Sequence, residues 1–154
     1  MKRNVVLVLD ADADTARAVA IAASNGNYDL RFTRTSREFF QFWNEDLENV
    51  AAIVLDVDPG VHGMAILEAL DACENIPPVI VVSALEEMLL ESVVRRHGAA
   101  ACLGKPLSVA RLARAIDKTL GRVAAPRCDL WGHPMNCTCT RHTVSVVQEL
   151  TGPN

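Results

Sequence analysis

Four polar side chains break apolar runs at places where chemistry can gather. Asp10 follows Val5–Leu9, Asp56 falls near the end of Ala51–Val57, Ser83 follows Val79–Val82, and Lys105 follows Ala99–Leu103. Two acids, a hydroxyl and an ammonium are the parts of a phosphoryl site. One carboxylate attacks, the acids hold a divalent cation, and the hydroxyl and ammonium bind phosphoryl oxygens. Taken singly, each has a plainer reading: a strand-end acid can cap a helix, a hydroxyl can satisfy a strand end, and a lysine can be a surface charge. Joint chemistry therefore depends on whether the fold brings the four together.

The elements that must position them alternate. The runs Val5–Leu9, Leu30–Phe32, Ala51–Val57, Val79–Val82 and Ala99–Leu103 read as strands, and the first, third and fourth are almost unbroken in Val, Ile and Leu. Such runs suit parallel strands covered on both faces. Between them the sequence predicts helices over Thr15–Ser24, Ser36–Leu47, Met64–Cys73, Leu85–His97 and Val109–Leu120. Thr35 with Glu38 has the pattern of a capping box, and Ser108 is a candidate N-cap. Five β-α units imply an α/β fold, a doubly wound parallel sheet with right-handed crossovers. In the strand order 2-1-3-4-5, the first and third strands meet at the switch point, and all four polar residues reach one crevice at the carboxyl edge.

Composition bounds the rest. The chain has 154 residues, 50% hydrophobic and 22% charged, with a formal net charge of −4, which predicts a folded domain and argues against a broad nucleic-acid or anionic-membrane surface. The apolar run after Met1-Lys2-Arg3 ends at Asp10, too short for a signal core or a membrane span. The expected location is the cytoplasm, where the five cysteines stay reduced unless they bind metal or act in redox chemistry. A phosphate-binding cofactor enzyme on this fold would need a Gly- or Ser/Thr-rich loop after the first strand. Ala11-Asp12-Ala13-Asp14 would repel a phosphate instead, so no organic cofactor and no enzyme activity are expected.

Four segments in order now carry a resemblance. Val-Leu-Val-Leu-Asp (6–10), Ile-Val-Leu-Asp (53–56), Val-Ile-Val-Val-Ser-Ala (79–84) and Gly-Ala-Ala-Ala-Cys-Leu-Gly-Lys-Pro-Leu (98–107) resemble the successive motifs of response-regulator receiver domains over about residues 4–120. The resemblance implies a flavodoxin-like fold and a switch in a two-component system or phosphorelay. It implies that Asp56 is the phosphoacceptor, fed by a histidine kinase or phosphotransfer protein, and that Ser83 and Lys105 contact the phosphoryl group. It further implies Mg²⁺ beside Asp10, Asp56 and the main-chain carbonyl of Asp58, and a cis Lys105–Pro106 bond. Output would pass to a downstream protein partner through the fourth helix, fifth strand and fifth helix, with a homodimer as one such contact and no direct binding of nucleic acid or membrane.

Three departures qualify this. The family usually has a second acid where Ala11 stands, and Asp12, one residue on, would point elsewhere. The loop after Asp56 is one residue short, with Pro59 and Gly63 arriving early. Cys102 replaces the aromatic residue that changes rotamer in many receivers. The alternative reading is therefore a pseudo-receiver, an unphosphorylated interaction module. Cys73 and Cys102 are both expected to be small buried hydrophobes.

Texture changes after Gly121, which divides a receiver unit, residues 1–122, from a short C-terminal extension, 123–154. There Cys128, His133, Cys137, Cys139 and His142 are candidate zinc ligands, although the spacing matches no standard paired Cys-x-x-Cys knuckle. Redox-active thiols and an inert reduced tail are the other two readings.

Overall fold

The computed structural model describes residues 4–24 and 26–120. The candidate zinc ligands Cys128, His133, Cys137, Cys139 and His142 lie outside the described residues. Five strands, β1 (Val5–Leu9), β2 (Asp29–Thr33), β3 (Val50–Asp56), β4 (Val79–Ser83) and β5 (Ala101–Gly104), form one parallel sheet in the order β2-β1-β3-β4-β5. Five helices connect and cover them: α1 (Ala13–Ala23), α2 (Ser36–Asp46), α3 (Gly63–Asp71), α4 (Glu87–Arg96) and α5 (Val109–Thr119).

Alternation along each strand builds two cores, one on either face of the sheet. Leu7, Leu9, Ile53, Leu55, Val79 and Val81 pack with Phe39, Leu67, Leu70 and Val94 from α2, α3 and α4. Val6, Val8, Val54, Ile80 and Val82 face the other way, against Ala18 and Val19 of α1 and Leu112 and Ile116 of α5. Every residue of β1, β3 and β4 is buried, which is why those strands read as unbroken apolar runs. By contrast, β2 sits at the sheet edge with Arg31 and Phe32 exposed, and its short apolar signature follows from that position. Its bounds run one residue beyond the expected Leu30–Phe32 at each end.

The helix ends follow local chemistry. The Glu38 N–H donates to Thr35 Oγ1 at 3.2 Å, while the Glu38 carboxylate accepts from the Arg34 N–H at 2.8 Å, so the reciprocal bond falls one residue earlier than in the standard box. Ser108 caps α5 by accepting from the Arg111 N–H at 3.3 Å. Asp12 caps α1, accepting from the Asp14 N–H at 3.0 Å, and this explains why that helix begins two residues before the expected Thr15. Cys73 corrects an expectation: α3 ends before it, and its side chain is exposed rather than buried. Cys102 is buried as expected, and burial pushes its thiol pKa up, with the charges of Glu87 and Glu91 adding to the rise.

The short loop after β3 has a conformational cost. His62 precedes α3 in the left-handed region at φ 58°, where a non-glycine side chain is disfavoured. Gly63 follows because nothing larger fits: a Cβ there would lie 1.7 Å from the Asp56 carbonyl oxygen. The first residue of α3 therefore rests on the end of β3, directly beneath one of the acids.

Candidate functional site

Parallel register places all four polar residues at the same edge. Leu9 pairs with Leu55, Asp56 with Val82, and Ser83 with Gly104, so the residues ending these strands share one rim. Asp10 stands one residue past β1, Asp56 ends β3, Ser83 ends β4, and Lys105 stands one residue past β5. The Lys105 N–H donates to the Ser83 carbonyl at 2.7 Å, extending the β4–β5 pairing by a rung. The bond from Lys105 to Pro106 is cis.

Both buried acids are fixed by their own loops. Asp10, 6% exposed, accepts from the Asp12 N–H at 2.8 Å through Oδ1. Asp56, 5% exposed, accepts from the Asp58 N–H at 2.8 Å in the same way. In each case a carboxylate at a strand end bonds the amide two residues on, which leaves its other oxygen facing the crevice. The side-chain nitrogen of Lys105 enters from the far side, 2.9 Å from Asp10 Oδ2, 3.4 Å from Asp56 Oδ2 and 3.3 Å from Asp58 Oδ2. Asp10 Oδ2 meets this charge without a directed hydrogen bond.

Three carboxylates thus share one ammonium, and Asp56 and Asp58 respond in opposite directions. Burial pushes the Asp56 pKa up to about 6; the Asp58 amide opposes this, the neighbouring Asp10 charge adds to it, and Lys105 offsets only part. Burial works against the charge on Lys105, but its close ion pair with Asp10 and the charges of the other two acids outweigh that and raise its pKa. Asp58 titrates below the ordinary range: partial burial works against its charge, while Ser83, the Ala84 amide and Lys105 together stabilise it.

Asp58 was expected to contribute only its main-chain carbonyl. Its side chain does more. Ser83 Oγ donates to Asp58 Oδ1, and the Ala84 N–H donates to both carboxylate oxygens, at 3.0 and 2.9 Å. A signal for this was present in the sequence, an acid two residues beyond the strand-end acid on a shortened loop, but chain spacing does not say which way such a side chain turns. Asp12, in contrast, is exposed and its carboxylate is engaged as the α1 cap. Ala11 is exposed, and its carbonyl accepts from Arg34 at 3.3 Å.

Glu87 is a second residue the sequence did not single out. At the first turn of α4 it accepts from the Gly104 N–H at 3.0 Å and from Arg111 at 2.6 and 3.1 Å. The Arg111 bond, foremost, and the Gly104 amide hold its carboxyl below the usual range. It ties the start of α4 to the end of β5 and to α5, and so braces the loop that carries Lys105.

The arrangement can do specific things. Asp56 offers a fixed carboxylate oxygen at a crevice whose other wall carries a hydroxyl, an amide N–H and an ammonium, the donor types that bind a tetrahedral oxyanion. Among the described residues, no group of three or more His, Cys, Asp or Glu side chains is arranged as a metal site, and Lys105 occupies the point where the three aspartates meet.

Comparison with known proteins agrees with this architecture. Among curated proteins, none matches the chain in sequence. Solved structures do: a response regulator from Thermotoga maritima, 20% identical, matches with a TM-score of 0.69 over 77% of this chain and 98% of its own. A response regulator receiver protein from Burkholderia phymatum, 24% identical, matches with a TM-score of 0.65 over 77% and 95%. The receiver domain of NtrX from Brucella abortus, 22% identical, matches with a TM-score of 0.66 over 75% and 97%. At these identities the likeness shows the fold alone. The family profile described as the response regulator receiver domain goes further, matching residues 6–117 through all four site segments. With that match, and with the five-stranded sheet and its acidic rim in place, the chain belongs to the response regulator receiver domain family of two-component signalling.

Proposed function

We propose that the protein is a phosphorylatable switch in which Asp56 accepts a phosphoryl group from a histidine kinase or phosphotransfer protein. One observation carries this reading: a buried carboxylate at the end of β3 faces an ammonium, a hydroxyl and a backbone N–H across a single crevice. In the transfer, an Asp56 oxygen forms the new P–O bond while the donor's bond to phosphorus breaks, and the leaving group departs with the electron pair.

The residues present fit a Mg²⁺ ion. Three acids and one base leave the crevice short of positive charge, and Mg²⁺ is commonly held by one or two carboxylates with waters completing its shell. Asp10, Asp56 and the Asp58 carbonyl would hold it, and when bound it would supply charge neutralisation for the incoming phosphoryl group. Ala11 removes the usual second acid, so affinity should be low. Ser83 and the Ala84 amide would take phosphoryl oxygens, and Lys105 would pair with the new charge.

Output by protein contact is supported by α4. Met88 is 82% exposed and Leu89 73%, with Leu85 and Val93 also open on the same helix and its approach, a surface suited to a downstream protein partner or a second copy. No helix among the described residues is long and apolar enough to cross a membrane, which is compatible with a cytoplasmic setting for this exchange.

Incubation with acetyl phosphate and millimolar Mg²⁺, read by intact mass, tests the proposal. One added phosphoryl group on the wild type and none on Asp56→Asn is the expected result. An unmodified wild type beside a receiver that reacts would instead support the pseudo-receiver reading, which Ala11 favours.

A further inference from the structure

Three donors that a phosphoryl group would need are already in use. Ser83 Oγ, the Ala84 N–H and the Lys105 ammonium all engage the Asp58 carboxylate, whose Oδ1 receives the hydroxyl and the amide and whose Oδ2 receives the amide and the ammonium. The nucleophile is less engaged: among the described residues Asp56 accepts only from the Asp58 N–H and faces Lys105 at 3.4 Å. A carboxylate and a phosphoryl group both present paired anionic oxygens on a planar or near-tetrahedral centre, so one can satisfy donors arranged for the other. Resting on the reading of Asp56 as acceptor, we propose that Asp58 is an internal occupant of the oxyanion-binding donors, which excludes external phosphate and must swing aside before a phosphoryl group can settle on Asp56.

The geometry makes the swing feasible. The Asp58 side chain is 19% exposed, against 7% for Asp56 and 2% for Asp10, and it belongs to the loop after β3 rather than to the strand. Rotation about its side-chain bonds returns the carboxylate to water without moving the backbone that would place its carbonyl at a metal. The same rotation frees Ser83 Oγ, which in the resting state also accepts from the Leu85 N–H at 3.0 Å and so transmits its position to the start of the segment leading into α4. Asp58 is in this sense a specificity-determining residue: it selects against ligands too weak to displace a charge-assisted set of bonds. A free phosphate ion would lose that competition, whereas a phosphoryl group covalently held on Asp56 competes at high effective concentration.

Two readouts separate this proposal from the acceptor reading. The first is noncovalent: inorganic phosphate is titrated into wild type, Asp58→Asn, Asp58→Ala and, as a charge control, Asp12→Asn, following the Ala84 backbone amide by NMR. Removing the carboxylate should shift the Ala84 amide before any phosphate is added, and should tighten phosphate binding by about tenfold, the equivalent of one lost competing hydrogen-bonded contact. Asp12→Asn removes a neighbouring charge without touching the donors, and should leave the amide in place and gain much less. The second is covalent: the initial rate of modification by acetyl phosphate at saturating Mg²⁺ should rise by a similar factor in Asp58→Ala, with acetate leaving as the phosphoryl group moves to Asp56.

An Ala84 amide unmoved by Asp58→Ala, or phosphate binding equal in wild type and both Asp58 variants, overturns the proposal, whatever happens at Asp56. A phosphate gain in the Asp58 variants with no covalent product in any protein upholds the occupant and overturns the acceptor reading. Thermal melts of the variants show that each is folded, and Asp58→Asn, nearly isosteric, supplies the answer should Asp58→Ala prove unstable.

Discussion

The two sides of the crevice are provisioned in opposite ways. On the β1 side, where a cation would sit, the loop offers one buried acid, Asp10, then exposed Ala11, and spends Asp12 on capping α1. On the β4 side, where an oxyanion would sit, the hydroxyl of Ser83, the amide of Ala84 and the ammonium of Lys105 are joined by an extra acid, Asp58. One side lacks a carboxylate and the other has one to spare. Charge at this rim is therefore moved, rather than simply lost, relative to a site with two acids after the first strand. A cation bound here would meet one carboxylate fewer, and an oxyanion would have to displace one more.

The comparison is broken most severely by removing the one group both sides share. Lys105→Met leaves three carboxylates without their common counter-charge, and should destabilise the fold by about 3 kcal/mol at neutral pH, as for a buried pair that loses one partner. Urea unfolding measures it. Millimolar Mg²⁺ or mild acid, each of which neutralises the acids, should return part of the loss. A deficit that neither reduces would mean the lysine acts through packing alone.

A smaller effect sharpens the cost of placing Asp56 between them. Its folded pKa of about 6 lies above the ordinary value of 3.8, so the folded state holds the proton more tightly than the unfolded chain. Stability then falls as pH rises from near 4 to near 6, and the full penalty is present above that window. Asp56→Asn, neutral throughout, should be more stable than wild type by on the order of 2 kcal/mol at pH 7 without Mg²⁺. The advantage should fade toward pH 4, as thermal melts across this range would show. An advantage that stays constant with pH would place its origin outside Asp56 ionisation.

The mildest test restores the missing acid. Ala11 is exposed, so Ala11→Asp meets no steric obstacle there, and a further hard oxygen should tighten Mg²⁺ binding by roughly tenfold. Titration followed by calorimetry or by the Asp10 and Asp56 amide signals measures it. Equal curves for the two proteins would show that no cation uses the β1 side.

How much of this was legible in the sequence depended on burial and on direction. Strands β1, β3 and β4 read clearly because both faces are covered, whereas edge strand β2, with Arg31 and Phe32 in solvent, gave only a fragment of its length. Asp10, Asp56, Ser83 and Lys105 could be placed together because parallel register and strand ends fix where a side chain emerges. Asp58 and Glu87 could not be assigned their contacts. Each lies beyond a strand, in a loop or at the first turn of a helix, where the partner, Ser83 in one case and Gly104 with Arg111 in the other, is settled by rotamer and tertiary contact rather than by period. Cys73 went astray for a related reason: α3 stops at Asp71, and a residue expected on its inner face falls past its end.

The proposed switch depends on which carboxylate receives the phosphoryl group. Three acids meet at one ammonium, and Asp56, the one that itself ends a strand of the sheet, has its outer oxygen farthest from that charge, at 3.4 Å. Borohydride reduction of protein treated with acetyl phosphate and Mg²⁺ converts an acyl phosphate to the corresponding alcohol, and peptide mass mapping then locates it. Homoserine is expected at position 56 and at neither 10 nor 58; reduction at either of those positions, or at none while a receiver treated alongside is labelled, would overturn the assignment of Asp56 as acceptor.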